Sequence, residues 1–224
     1  MAPYAGCVRE GRFTFQGRSC RRPRNLGGHS LHWSVFVRRW EAESDCLFGT
    51  ELGPAWPMAG WARREVRIEA GGLGLSLEVH SARGAMPASC GWHPWFRRVV
   101  AGVAGVLDFR PGFMYERDET GIATRRRQSG TVGPWDRCFG EVERAPAITW
   151  PGVLRLELES TCGSWVVFTK PAHALCVEPQ TAPPDALNHD PFVVEPGRPP
   201  VAGRTMRWSL PDVRAGGTAR PGRG

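Results

Sequence analysis

The chain has 224 residues, a formal net charge of +7 and a 41% hydrophobic composition, a length that suits one large domain or two small ones. No apolar run reaches membrane-spanning length, and the first residues lack the basic-then-apolar layout of a secretory leader, so a cytoplasmic protein without a membrane partner is expected. The positive charge comes from scattered arginines, with Lys170 the only lysine, and offers no contiguous basic face to follow phosphates, which argues against nucleic acid.

Strand signals appear in chain order. Arg12-Phe13-Thr14-Phe15 is the first candidate. Val66, Ile68, Leu73, Leu75, Leu77 and Val79 alternate with polar residues on either side of Gly71-Gly72. That spacing predicts a hairpin with one buried face and a two-glycine turn. Arg125-Arg126-Arg127, following Gly121, reads as a solvated loop. Leu154, Leu156 and Leu158 alternate with Arg155, Glu157 and Glu159, another half-buried strand. Trp165–Phe168 and Leu175–Val177 are short apolar runs that suit strands buried on both faces. No segment holds a helical apolar stripe for three turns, and 28 glycines and 20 prolines interrupt the chain. An all-β sandwich or barrel over residues 1–210 follows. From Pro211 the composition turns to Arg and Gly, predicting a disordered basic tail over 211–224.

Seven cysteines are spread along the chain with no C-x-x-C pair. Neither a zinc nor a redox motif is supported, and reduced thiols are expected. The segments that can carry chemistry are four: Ser30-Leu31-His32, Gly91-Trp92-His93-Pro94-Trp95-Phe96, Pro134-Trp135-Asp136-Arg137-Cys138-Phe139 and Cys176-Val177-Glu178-Pro179-Gln180-Thr181. A histidine between tryptophan and proline is most often simply packed. A carboxylate inside an apolar strand, as at Glu178, is costly unless it has a partner or a task. One imidazole and one carboxylate at separate strand ends are the minimum for proton transfer at two atoms of one substrate.

In this order and spacing the four segments resemble the aldose epimerases, the galactose mutarotase family, with similarity from about Tyr4 to Trp208. The resemblance implies a large antiparallel β-supersandwich. It also implies interconversion of the α and β anomers of a free hexose without metal or organic cofactor, the sugar being the only partner. It implies that Glu178 is the general base, His93 the general acid, and His32 and Asp136 the contacts to sugar hydroxyls. Gln180 and Asn25 are further candidate hydroxyl partners, and Trp92 and Trp135 candidate platforms for the pyranose ring. The sequence departs from the family at Cys7, where an arginine is usual, and at Trp33, where glycine follows the Leu-His pair. The family's chains are also longer at the amino end, so strands are expected to be missing before Met1. Two alternatives stay open: a hexose 6-phosphate as substrate, with Arg97-Arg98 as phosphate contacts, and a non-catalytic sugar-binding remnant.

Overall fold

A computed structural model describes residues 1–198 and 201–210; the tail expected from Pro211 lies outside them. Strands dominate. The helical content among the described residues is one short α-helix, Ala186–His189, and two 3-10 turns, Arg9–Gly11 and Val35–Val37. None of it is long and apolar enough to cross a membrane. Frequent glycine and proline leave no window in which a helix could propagate.

Six strands make the sheet that matters for chemistry. They are β1 (Trp95–Arg97), β2 (Pro111–Arg117), β3 (Ala123–Gln128), β4 (Asp136–Val142), β5 (Ser164–Phe168) and β6 (Ala174–Gln180). All pairings are antiparallel, in the order β1-β6-β5-β4-β2-β3. A second sheet of eight strands runs from Val106–Asp108 through Ala147–Trp150, Leu154–Ser160, Val201–Ser209, Gly72–Ser81, Gly60–Glu69 and Leu47–Glu51 to Glu41–Ala42.

Side chains alternate between the faces of a strand, and the register carries that alternation across the sheet. Leu175 and Val177 of β6 share a face with Trp165 and Val167 of β5, Phe139 of β4 and Met114 of β2. These pack against Ile148, Trp150, Leu156 and Leu158 of the eight-stranded sheet in one core. Each large side chain so buried contributes about 1.5–3 kcal/mol. The opposite face of β6 holds Cys176, Glu178 and Gln180, aligned with Trp95 of β1 and Asp136 and Cys138 of β4. A second core joins the amino-terminal residues Tyr4, Val8 and Phe13 to Leu77 and Val79 of the hairpin and to Trp56 and Met86.

Most of the expected strands form, among them Arg12–Phe15, Leu154–Ser160 and Ser164–Phe168, and β6 is buried along its whole length. The hairpin is Gly60–Glu69 with Gly72–Ser81. Its turn is Ala70-Gly71: Gly71 takes φ +78, whereas Gly72 already pairs with Glu69. Among the apolar side chains of the alternating pattern, full burial holds only at the hairpin base. Leu77 and Val79 are buried while Ile68 is 83% exposed, because the tip runs past the apolar layer. The arginine triplet is not a loop but part of the edge strand β3. Arg125, Arg126 and Arg127 pair there with Asp190, Glu116 and Glu141. Charges along an unpaired edge discourage pairing with another chain. All seven cysteines are reduced thiols outside any disulfide.

Candidate active site

Glu178 and His93 are brought together by strand register. Upstream, Cys90 to Trp92 dock on the end of β6: Trp92 N donates to Pro179 O (3.0 Å), Thr181 N donates to Cys90 O (2.8 Å), and Gly91 bridges Gln180. Downstream, Trp95 of β1 pairs with Cys176. Continuing one register through the two contacts puts His93 opposite Glu178 on the same face. Pro94 between them lacks an N–H and leaves the ladder open there. His93 Nε2 lies 3.3 Å from Glu178 Oε1. Gly91 is required for this approach, since a Cβ there would stand 2.5 Å from Pro179 O.

Glu178 is 2% exposed, and Gln180, itself fully buried, donates its amide to Glu178 Oε2 (3.3 Å). Burial pushes the Glu178 carboxyl up to about 8. Desolvation also lowers the pKa of His93. The unliganded pair therefore holds one proton in its neutral form, not as the ion pair that the expected roles require at the outset.

His32 is set beside them, its ring edge-on to His93 with centroids 5.1 Å apart. It stands in the left-handed region, φ 51, just beyond the short pairing of Leu31 with Cys7. Gly6 N donates to His32 Nδ1 (3.0 Å) and His32 N donates to Gly6 O (3.1 Å). The first of these bonds leaves the neutral ring's proton on Nε2, a donor for a ligand. Desolvation, then the nearby His93, pushes the pKa of His32 down to about 3, so it stays neutral. Gly6 needs its own residue type: φ is +73 and a Cβ would meet Pro184 at 2.8 Å.

Asp136 opens β4 on the site face. Arg117 of β2 grips it with two bonds, Nη2 to Oδ1 at 2.9 Å and Nη1 to Oδ2 at 3.2 Å, and Lys170 Nζ stands 3.7 Å away. Burial alone would raise the Asp136 carboxyl, but the Arg117 guanidinium wins and holds it below its usual value. The Cys7 thiol is pushed up to about 11, chiefly by burial; it also feels the charges of Arg117, Asp136 and Glu178. Arg117 thus supplies a guanidinium close to the position where Cys7 departs from the family pattern.

The remaining candidates sit differently. Asn25 spends its amide on Leu31, donating to its carbonyl (3.0 Å) and accepting from its N–H (2.7 Å), which fixes the loop ahead of His32. Trp92 packs on the amino-terminal core. Trp135 packs on the sandwich core beside Phe109 and Phe139 and donates to Thr131 O (2.6 Å). The aromatic ring exposed at the site is Trp95, 48% accessible and stacked on His93 with centroids 5.6 Å apart. Trp33 lies against the amino-terminal core and edge-on to Phe36. Arg98 is committed to the carbonyls of Pro171 and Thr169. Sequence reasoning missed Arg117, Trp95 and Cys176; a two-residue step from His93 or Glu178 would have reached the last two.

Donor atoms of His32, His93 and Glu178 come within 4.8 Å of one another. Glu178 is already engaged with His93, Cys176 and Gln180, and His32 Nδ1 with Gly6 N. The cluster closes on itself as a proton-sharing pair with a neutral imidazole beside it.

The sequence model of the aldose 1-epimerase family matches residues 1–202. No curated protein matches the sequence. Among solved structures, the chain is similar to a candidate aldose 1-epimerase from Escherichia coli K12, with a TM-score of 0.80 at 18% identity over 93% of this chain and 82% of that one. It is similar to the aldose epimerase homologue of C. elegans, with a TM-score of 0.76 at 14% identity over 93% and 81%. A galactose 1-epimerase from Lactobacillus acidophilus NCFM gives 0.74 at 13% over 93% and 78%. At such identities the structural likeness establishes the fold, the antiparallel β-architecture of the galactose mutarotases. With the family's pattern spanning nearly all of the sequence, the chain belongs to the aldose 1-epimerase family.

Proposed function

We propose that this protein interconverts the α and β anomers of a free aldohexose by acid–base ring opening. The observation that carries the reading is the 3.3 Å contact between His93 Nε2 and Glu178 Oε1. The anomeric hydroxyl oxygen and the ring oxygen of a pyranose are bonded to the same carbon. Two groups in mutual contact can therefore reach both oxygens from one edge of the sugar.

In ring opening Glu178 accepts the proton of the anomeric hydroxyl while His93 gives its Nε2 proton to the ring oxygen. The bond between C1 and the ring oxygen breaks and an aldehyde forms. Rotation about C1–C2 presents the other carbonyl face, and the two transfers run backwards to close the ring. Each positioned transfer contributes about 10²–10⁴-fold. Opening converts a His93 imidazolium and Glu178 carboxylate into the neutral pair, the form that burial favours. The electrostatics of the site thus stabilise the opened aldehyde complex relative to the closed sugar.

Asp136 and Arg117 offer a paired acceptor and donor to adjacent hydroxyls, and His32 offers Nε2–H. The exposed face of Trp95 suits the C–H side of a pyranose. A free sugar is favoured over a 6-phosphate because Arg98, half of the basic pair proposed to hold phosphate, is bound to backbone carbonyls. Contact between acid and base also argues against an inert remnant, in which they would stand apart.

Exchange NMR or polarimetry on freshly dissolved α-glucose and α-galactose tests the reading. Wild-type protein should speed equilibration, and Glu178→Gln and His93→Asn should not. If wild type leaves the spontaneous rate unchanged for every aldohexose tried, the proposal is wrong.

A further inference from the structure

Cys176 is fully buried one alternation before Glu178 on β6, and its side chain meets the Glu178 carboxyl in a hydrogen bond as well as two other polar atoms. Sγ lies 2.7 Å from Pro94 O and 3.0 Å from His93 Nδ1. A thiol has one proton, and a carbonyl oxygen can only accept. The thiol proton therefore goes to one of the two oxygens facing it, Pro94 O or the Glu178 carboxyl. The sulfur is then an acceptor, and the nitrogen facing it must carry hydrogen.

We infer that Cys176 is a positioning residue for the acid–base pair. Its sulfur accepts the His93 Nδ1 proton, holds the ring in the Nδ1–H tautomer, and makes Nε2 the nitrogen that trades a proton with Glu178 and the substrate. The inference rests on the proposed anomerase reading for its catalytic consequence, but the tautomer assignment stands on the geometry alone. The ring is restrained from both sides: the sulfur fixes its tautomer and rotation about the Cβ–Cγ bond, and the Trp95 indole lies against its face. Without the sulfur, the ring would keep its hydrogen bond to the His93 backbone but could turn or shift its proton. Nε2 would then no longer be pinned 3.3 Å from the Glu178 carboxyl.

The test combines a spectroscopic and a kinetic readout on the whole chain. Long-range ¹⁵N–¹H spectra of ¹⁵N-labelled protein report the tautomer of each of the six histidines, with His93→Gln used for assignment. Wild type and Cys176→Ser, whose hydroxyl can repeat both bonds, should show neutral His93 protonated at Nδ1. Cys176→Ala should show a mixture or the Nε2–H form. In anomerisation, Cys176→Ala should lose about tenfold in kcat with KM nearly unchanged, the scale of a lost partner behind a functional histidine, and Cys176→Ser should recover most of that loss. The limbs of its kcat against pH profile should move as well. The other titratable groups facing the pair, His32, Asp136, Cys7, Cys138 and the Met1 amino group, are the same in all three proteins. An unchanged His93 tautomer together with an unchanged pH profile in Cys176→Ala overturns the inference. If wild type shows no anomerisation, the functional reading fails, yet the tautomer spectra still decide the role of Cys176. Should Cys176→Ala fail to fold, a wild-type His93 in the Nε2–H form refutes the assignment by itself.

Discussion

Replacing Glu178 with glutamine converts the protonation chemistry of the site into a stability measurement. The carboxyl has an ordinary value of 4.5 and is pushed up to about 8 in the folded chain by burial. A raised folded value means that the native state keeps a proton that the unfolded chain releases. The associated stability is fully present below 4.5 and is lost as pH rises through 8. Between pH 6 and pH 8 the linkage amounts to about 2 kcal/mol of lost stability, at 1.36 kcal/mol per pKa unit. For a chain of this size that is a fall in Tm of about 4–8 °C. Glutamine copies the protonated carboxyl: its amide nitrogen can face His93 and its oxygen can face the Gln180 donor. It does not titrate. His32, lowered to about 3, is neutral in both proteins across this interval and cancels in the difference, whereas the Met1 amino group, lowered to about 6, feels the Glu178 charge and shares in the coupled titration. Urea unfolding at pH 6 and pH 8 should therefore show Glu178→Gln gaining about 2 kcal/mol on wild type over that interval, with no anomerase activity at either pH. Parallel behaviour of the two proteins would refute the assignment of a buried, proton-retaining Glu178.

Arg117→Met removes the guanidinium that keeps Asp136 ionised, so KM should rise by one to two decades, equivalent to about 1.5–3 kcal/mol for a lost charged hydrogen bond. The loss should deepen from pH 7 to pH 5 as the Asp136 carboxyl regains its proton, read from initial rates across that range. Trp95→Ala should weaken sugar binding by about 1 kcal/mol, roughly fivefold in KM, through loss of the stacking face, while thermal unfolding stays close to wild type because the ring is half exposed. Gly91→Ala drives a methyl group into Pro179 O and should cost about 1–3 kcal/mol, with kcat falling more than KM rises as His93 is carried away from Glu178. Equal kcat in that variant would show that the bridge between Gly91 and Gln180 does not set the pair.

What the sequence revealed divides along the range of the interactions involved. The alternation at Leu154–Leu158 and the apolar runs at Trp165–Phe168 and Leu175–Val177 identify their strands because a period of two needs no knowledge of a partner. The four ordered motifs drew attention to His32, His93, Asp136 and Glu178, and the fold brings them to one region. The pairing of His93 with Glu178 depends on a register fixed by Gly91 with Gln180 and Trp95 with Cys176, contacts that no local pattern records. Arg117 was invisible for the same reason: it reaches Asp136 only because β2 and β4 are neighbours. Trp92 and Trp95 are three positions apart in one aromatic motif, so the continuous register along β6 turns them to opposite faces, and only the tertiary packing decides which face is open. The hairpin tip misled because alternation reports a face, not how far the opposing layer extends along it.

Strand β6 is its own proofreader. A slip of one residue would turn Glu178 toward the apolar layer now filled by Leu175 and Val177, and would turn those two residues outward. A carboxylate transferred into that layer without partners costs several kcal/mol, and the displaced aliphatic side chains would forfeit their burial at the same time. An inactive register therefore cannot persist as a quiet, well-folded competitor: the error that ruins the chemistry also dissolves the core. For this chain a cooperative unfolding transition certifies the register of β6, and a library screened only for foldedness would already be enriched in chains that hold Glu178 away from the apolar layer.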